Sequence, residues 1–211
     1  IARRMQCLKK MRDRYADKDP DFALGAEGTV DALAQYCDYT HGYPENSDSF
    51  RWLNFFRYTF PDIVFTDRGL RDDSDVPRKV NMTLLDGQRN DIEIFRCRDI
   101  ISACPIYQKY LGQANAIKEK YADLLLCGLY NDNVGIRCSN AGIEAKSFVS
   151  GNRMAVVVAN QNSDRTLRGR IRVPGYHFVE SSVLGKAKVG RRGRRVRLGK
   201  YDLAVMIFEK D

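Results

Sequence analysis

Two acidic residues, Glu27 and Asp67, each follow a short apolar run of the kind that a parallel sheet buries on both faces. Phe22-Ala23-Leu24-Gly25-Ala26 leads into Glu27-Gly28, and Ile63-Val64-Phe65-Thr66 leads into Asp67-Arg68-Gly69. A carboxyl group fixed at a strand end can donate or accept a proton, or attack an electrophilic carbon. Each has a plainer reading. Glu27 can serve the backbone amides of a helix start near Thr29 and Asp31, and Asp67 can form a turn with Arg68 and touch no ligand. Arg57 is placed to pair with either carboxylate and keep it ionised, or to sit on the surface. No Ser-His-Asp order, phosphate loop or dinucleotide fingerprint occurs, so no organic cofactor is expected.

The elements that must hold these groups alternate between helix and strand over the first half. Residues 1–16 have helical periodicity through Met5, Leu8, Met11 and Tyr15, and Lys18-Asp19-Pro20 ends that helix. The run before Glu27 predicts one strand, a short helix follows through Ala32, Leu33 and Tyr36, and Asp62–Thr66 predicts a second strand. Residues 71–78 read as a polar loop. A helix is expected over 89–103 with Ile92, Phe95 and Ile100 inward, and a second from Pro105, with Ile106, Tyr110, Ala114, Ile117 and Tyr121 on its apolar stripe.

After Leu126 the pattern changes to short strands: 143–149, 154–159, 167–173, 177–183, 196–198 and 203–208. Turn signals separate them, at Ser150-Gly151-Asn152, Asn160 to Asp164 and Pro174-Gly175. Strands at this spacing predict an antiparallel sandwich. The shift in composition divides the chain into residues 1–123 and 124–211.

The net charge is +8, and much of the excess sits in Arg191, Arg192, Arg194 and Arg195 around Gly193. Aromatic residues do not interleave with these charges as base stacking requires, so nucleic acid is not the expected partner. The arginine run reads as a solvated hairpin tip, with an acidic polysaccharide as the sharper alternative. Six cysteines, at 7, 37, 97, 104, 127 and 138, include no C-x-x-C pair and are read as free thiols; no metal site is expected. No apolar run reaches membrane-spanning length. The chain starts at Ile1 and reads as a piece of a longer protein, with its localisation left open.

In this order, Ala23–Gly28, Phe56–Asp62, the helices between Asp91 and Tyr121, Leu125–Tyr130, Met154–Asn160 and Asp202–Phe208 resemble the carboxyl-terminal end of large bacterial glycoside hydrolases, similar to gut-bacterial glycosidase-like proteins. The resemblance implies the last strands of a (β/α)8 barrel, about two of the eight, followed by a small β-sandwich. It also implies hydrolysis of O-glycosidic bonds by paired carboxylates. Glu27 would be one and Asp67 the second, unless the partner lies upstream. Tyr39, His41, Trp52 and Tyr58 would stack on or bind sugar rings, and Arg57 would assist. The rivals are a non-catalytic carbohydrate-binding or scaffold protein with a degenerate barrel and, less favoured, a basic nucleic-acid-binding protein.

Overall fold

The computed structural model describes residues 2–15, 17–27, 34–42, 55–70, 72–92, 100–161 and 164–211. The amino-terminal helix α1 (Ala2–Tyr15) is tied to the rest through Arg12, whose guanidinium donates to Asp38 Oδ1 at 2.7 Å and to the Tyr36 carbonyl at 2.9 Å. The other Asp38 oxygen accepts the Leu24 amide at 2.8 Å, which sets the entry to the first strand.

Four strands then form a parallel sheet in chain order: β1 (Gly25–Glu27), β2 (Tyr39–Gly42), β3 (Val64–Leu70) and β4 (Arg89–Ile92). The sheet therefore has four parallel strands where the sequence predicted two. β2 escaped notice because Tyr39-Thr40-His41-Gly42 is short and polar, and its pairing with neighbours on both sides outweighs its weak strand character. β3 continues three residues beyond Asp67, so Asp67 lies inside the strand and not at its end.

Two helices pack beside this sheet, the first against β3 and β4 and the second against the first. α2 (Val76–Leu85) starts where a polar loop was expected. Pro77 presets the backbone in the first turn, and Val76, Val80 and Leu84 recur every four residues and are fully buried. The acidic run before it hid the start, and Asn81 and Thr83, both polar and fully buried, break the apolar pattern in its middle. The helix predicted over 89–103 is corrected at both ends. Residues 89–92 are β4, and Ile101–Ala103 is a single 3₁₀ turn; Ile100 is 68% exposed and not inward. Phe95 lies outside the described residues.

α3 (Pro105–Lys120) forms as expected, but its buried stripe is offset by one residue at the start: Tyr107 and Leu111 point inward, while Ile106 is 55% exposed. Tyr110 is partly buried, and its hydroxyl donates to Asn81 at 2.8 Å. A short α4 (Ala122–Leu125) leads out of the helical part.

The strands after Leu126 form two antiparallel sheets. The first contains β5 (Leu129–Tyr130), β7 (Glu144–Ser150), β8 (Arg153–Ala159), β10 (Tyr176–Leu184) and β13 (Leu203–Lys210), in the order β10-β13-β8-β7-β5. The second contains β6 (Arg137–Cys138), β9 (Leu167–Arg172), β11 (Lys188–Val189) and β12 (Arg195–Leu198), in the order β11-β12-β9-β6. The six strands expected from sequence all form, within a residue or two of their expected bounds.

β8 and β13 are buried on both faces. Ala155, Val157, Ala159, Leu203, Val205 and Ile207 pack with α2, α3 and α4. Met154, Val156, Val158, Ala204, Met206 and Phe208 pack against the second sheet. The first antiparallel sheet is thus the middle of three layers, helices on one side and strands on the other.

Candidate functional site

Register decides which side chains of the parallel sheet can meet, because paired residues share a face and successive residues alternate. One row runs Glu27, His41, Thr66, Arg89 across the four strands. The row before it on the same face runs Gly25, Tyr39, Val64. The opposite face carries Thr40 and Phe65, and then Asp67 paired with Asn90.

The first face carries the groups suited to binding. Tyr39 and His41 meet edge to face, with ring centres 5.7 Å apart at 86°. The Tyr39 ring lies over Gly25, where any side chain would overlap it, so glycine is needed for that close approach. Thr66 Oγ1 is hydrogen-bonded to His41 Nδ1, which fixes the imidazole from the next strand. Glu27 closes β1 with its backbone beside His41. Nothing in the sequence marked Thr66 as part of this group; only the β2–β3 register brings it to His41.

The opposite face is covered. Phe65 is fully buried against Phe56 and Ile63, with Phe56 and Phe65 ring centres 5.4 Å apart. Asn90 Oδ1 accepts from Lys118 Nζ of α3 at 3.0 Å and lies 3.2 Å from Thr83 Oγ1 of α2. Asp67, 4% exposed, belongs to this helix-covered side, and its charge favours the protonated form of Lys118. The structure therefore does not bring Asp67 to the face that holds His41 and Tyr39.

Arg57 is buried, not on the surface. Its guanidinium donates to the Pro61 carbonyl at 2.5 Å and lies 5.8 Å from the centre of the Tyr130 ring. Burial, and then the charge of Arg89, lower its pKa. It lines a cavity of about 230 Å³ with Asp62, Arg89, Leu126 and Cys127, at the amino-terminal edge of β3 and β4. Arg89 closes that cavity by donating to the Leu126 carbonyl at 2.8 Å. Tyr58 is 49% exposed on a helical turn at 55–59. Trp52 lies outside the described residues.

Among the described residues no group of three or more His, Cys, Asp or Glu side chains is placed to hold a metal ion. Cys7, Cys37, Cys127 and Cys138 are free thiols. No helix among the described residues is long and apolar enough to cross a membrane.

No protein-family model matches the chain, and no curated protein matches it. Solved structures do. The chain is similar to the Amy13B protein of Eubacterium rectale (11% identity, TM-score 0.66, all of this chain against 57% of that one). It is also similar to an alpha-amylase from Geobacillus thermoleovorans determined with acarbose (12% identity, TM-score 0.67, 98% against 57%). A third likeness is to the trehalose-6-phosphate hydrolase of Bacillus licheniformis (10% identity, TM-score 0.62, 98% against 59%). The chain thus spans less than two thirds of the length of each. Its fold is that of the carboxyl-terminal region of alpha-amylase-type barrel enzymes with a β-sandwich.

Proposed function

We propose that this chain is the carboxyl-terminal part of a glycoside hydrolase that cleaves O-glycosidic bonds, residues 1–123 belonging to its barrel and 124–211 to the appended sandwich. The observation that carries this reading is the row Glu27, His41, Thr66, Arg89 across parallel strands. Barrel enzymes draw their reacting groups from the carboxyl ends of such strands, and Glu27 is the last residue of β1. In this role Glu27 either protonates the leaving oxygen or acts on the anomeric carbon, directly or through water. Tyr39 and His41 offer a ring face and an imidazole to the sugar, with Thr66 holding the imidazole. The chemistry requires no organic cofactor.

The reaction needs a second carboxylate. Asp67 was its sequence candidate, and its burial beside Asn90 and Lys118 favours a charge-balancing role instead. That same observation favours, as a second reading, a chain that binds carbohydrate without cleaving it. One experiment separates them. In the full-length protein, Glu27→Gln is expected to lower aryl-glycoside turnover by about a thousandfold with unchanged melting. Unchanged turnover would remove Glu27 from the mechanism. A wild-type protein that binds glycans and turns none over would establish the binding reading.

A further inference from the structure

The outer face of the second antiparallel sheet is entirely cationic. β9 turns Arg168, Arg170 and Arg172 to solvent, and β12 turns Arg195 and Arg197. The short edge strands add Arg137 and Lys188, both exposed. Their inward neighbours, Ile171, Val196 and Leu198, sit in the core between the sheets. Every outward position of the four strands thus carries a positive charge, and Arg191, Arg192 and Arg194 extend the field at the β11–β12 turn.

Register makes the arrangement costly. Arg170 stands directly opposite Arg195, Arg168 opposite Arg197, Lys188 opposite Arg197, and Arg137 opposite Arg172. Like charges directly across a sheet destabilise it, with Cβ atoms only about 5 Å apart. Among the described residues none of these side chains makes an ion pair. The face surrounds a shallow groove of about 460 Å³ lined by Arg168, Arg170, Lys188, Arg195 and Arg197. An uncompensated lattice of one sign over a groove is an anion-binding surface.

We propose that this face binds an anionic polysaccharide. The strands set the cations in rows about 4.8 Å apart, with about 6.7 Å between successive outward residues along a strand. An extended acidic chain lying across such a grid can meet a guanidinium at each step. Six of the seven outward cations are Arg, whose planar fork grips carboxylate and sulfate groups through two parallel hydrogen bonds. The sheet presents no outward aromatic ring, so it lacks the stacking platform that single-stranded nucleic acid requires. It also presents no helix or protruding ribbon to enter a duplex groove. The choice of a glycan among polyanions rests on the proposed hydrolase reading, whereas the binding itself is measured without turnover.

The test uses the intact protein at low salt, with polygalacturonate and chondroitin sulfate as carboxylated and sulfated probes. Amylose serves as the neutral control and a short duplex DNA as the rival polyanion. At least one acidic polysaccharide is expected to bind about tenfold or more tightly than amylose, with affinity falling as salt rises. A variant combining Arg168→Ser, Arg170→Ser, Arg195→Ser and Arg197→Ser is expected to lose that binding about tenfold or more. It should melt no lower than wild type, because repelling pairs are relieved. If the fourfold variant does not fold, Arg170→Ser with Arg195→Ser takes its place. The proposal is overturned if neither acidic glycan binds better than amylose, if DNA binds more tightly than both, or if the folded variant keeps full affinity. Failure of the hydrolase reading would appear instead as absent turnover with glycan binding retained.

Discussion

The ammonium group of Lys118 donates to the side-chain oxygen of Asn90 at 3.0 Å, joining α3 to the last parallel strand through the middle of a buried layer. The same nitrogen reaches the Gln88 carbonyl at 3.0 Å and Thr83 Oγ1 at 3.3 Å. Burial, and then Arg89, bring the Lys118 pKa down to about 7, against the opposing pull of Asp67. Just beyond α2, burial pushes the Asp86 carboxyl up to about 7, although Lys146 draws it down.

These two groups predict a stability minimum near neutral pH. Lys118 gives up its proton near pH 7 when folded but near 10.5 when unfolded. The unfolded chain binds more protons between those values, so stability rises with pH across that window. Asp86 is protonated up to about pH 7 when folded but only up to about 3.8 when unfolded. There the folded chain holds more protons, so stability falls as pH rises from 3.8 to 7. Thermal midpoints measured from pH 4 to pH 10 are expected to trace this dip. Lys118→Met should flatten the alkaline limb and Asp86→Asn the acidic one. An alkaline limb as steep in Lys118→Met as in wild type would contradict the assignment.

The Thr66–His41 bond predicts a positioning effect. If His41 meets substrate, losing its hydroxyl partner lets the imidazole turn, at the cost of about one hydrogen bond. Thr66→Val in the full-length protein is expected to lower kcat/KM by about tenfold at unchanged melting temperature. Thr66→Ser keeps the hydroxyl and is expected to restore most of the loss. Equal activity in the valine and serine variants would show that the bond does not serve the reaction.

Asp202 predicts a stability effect remote from that site. It is 7% exposed, and its two carboxylate oxygens accept the Lys186 and Gly199 amides at 2.7 Å each. The residue thereby clamps the turn after β10 to the turn between β12 and β13. Gly185, at φ 75°, packs directly against it and has no room for a side chain. Asp202→Ala removes both charge-assisted bonds and is expected to destabilise the chain by about 2–4 kcal/mol in urea unfolding. Asp202→Asn keeps an acceptor for one amide and should lose less.

The sequence was most legible where local pattern and tertiary role agree. The hairpin at Ser150–Asn152 and the strands flanking it could be read directly, because alternation, Gly151 and β-branched residues all point the same way. The parallel sheet was half legible. β1 and β3 have apolar runs, whereas β2 and β4 are polar segments held by neighbours that only the fold supplies. Of the candidate site, the pairing of Tyr39 and His41 with Thr66 was not legible, because it depends on the β2–β3 register. Arg57 stands on a helical turn, and no local pattern marks its contacts with the Pro61 carbonyl and the Tyr130 ring. The side to which Asp67 turns depends on the pleat, which a one-residue shift of register reverses. The cationic sheet was seen only at its tip, in Arg191–Arg195. Its other half, on β9, lies far along the chain and becomes a neighbour only through the β9–β12 pairing.

The middle layer lends one surface to the helices and the other to the basic sheet, with β8 and β13 dry on both sides. Sliding either neighbour would strip a continuous apolar wall. A glycan held on the outermost sheet would therefore stay at a fixed remove from the helices. Such a sheet acts as an anchor that keeps a long polymer close, never as an arm that carries its cleavage point inward.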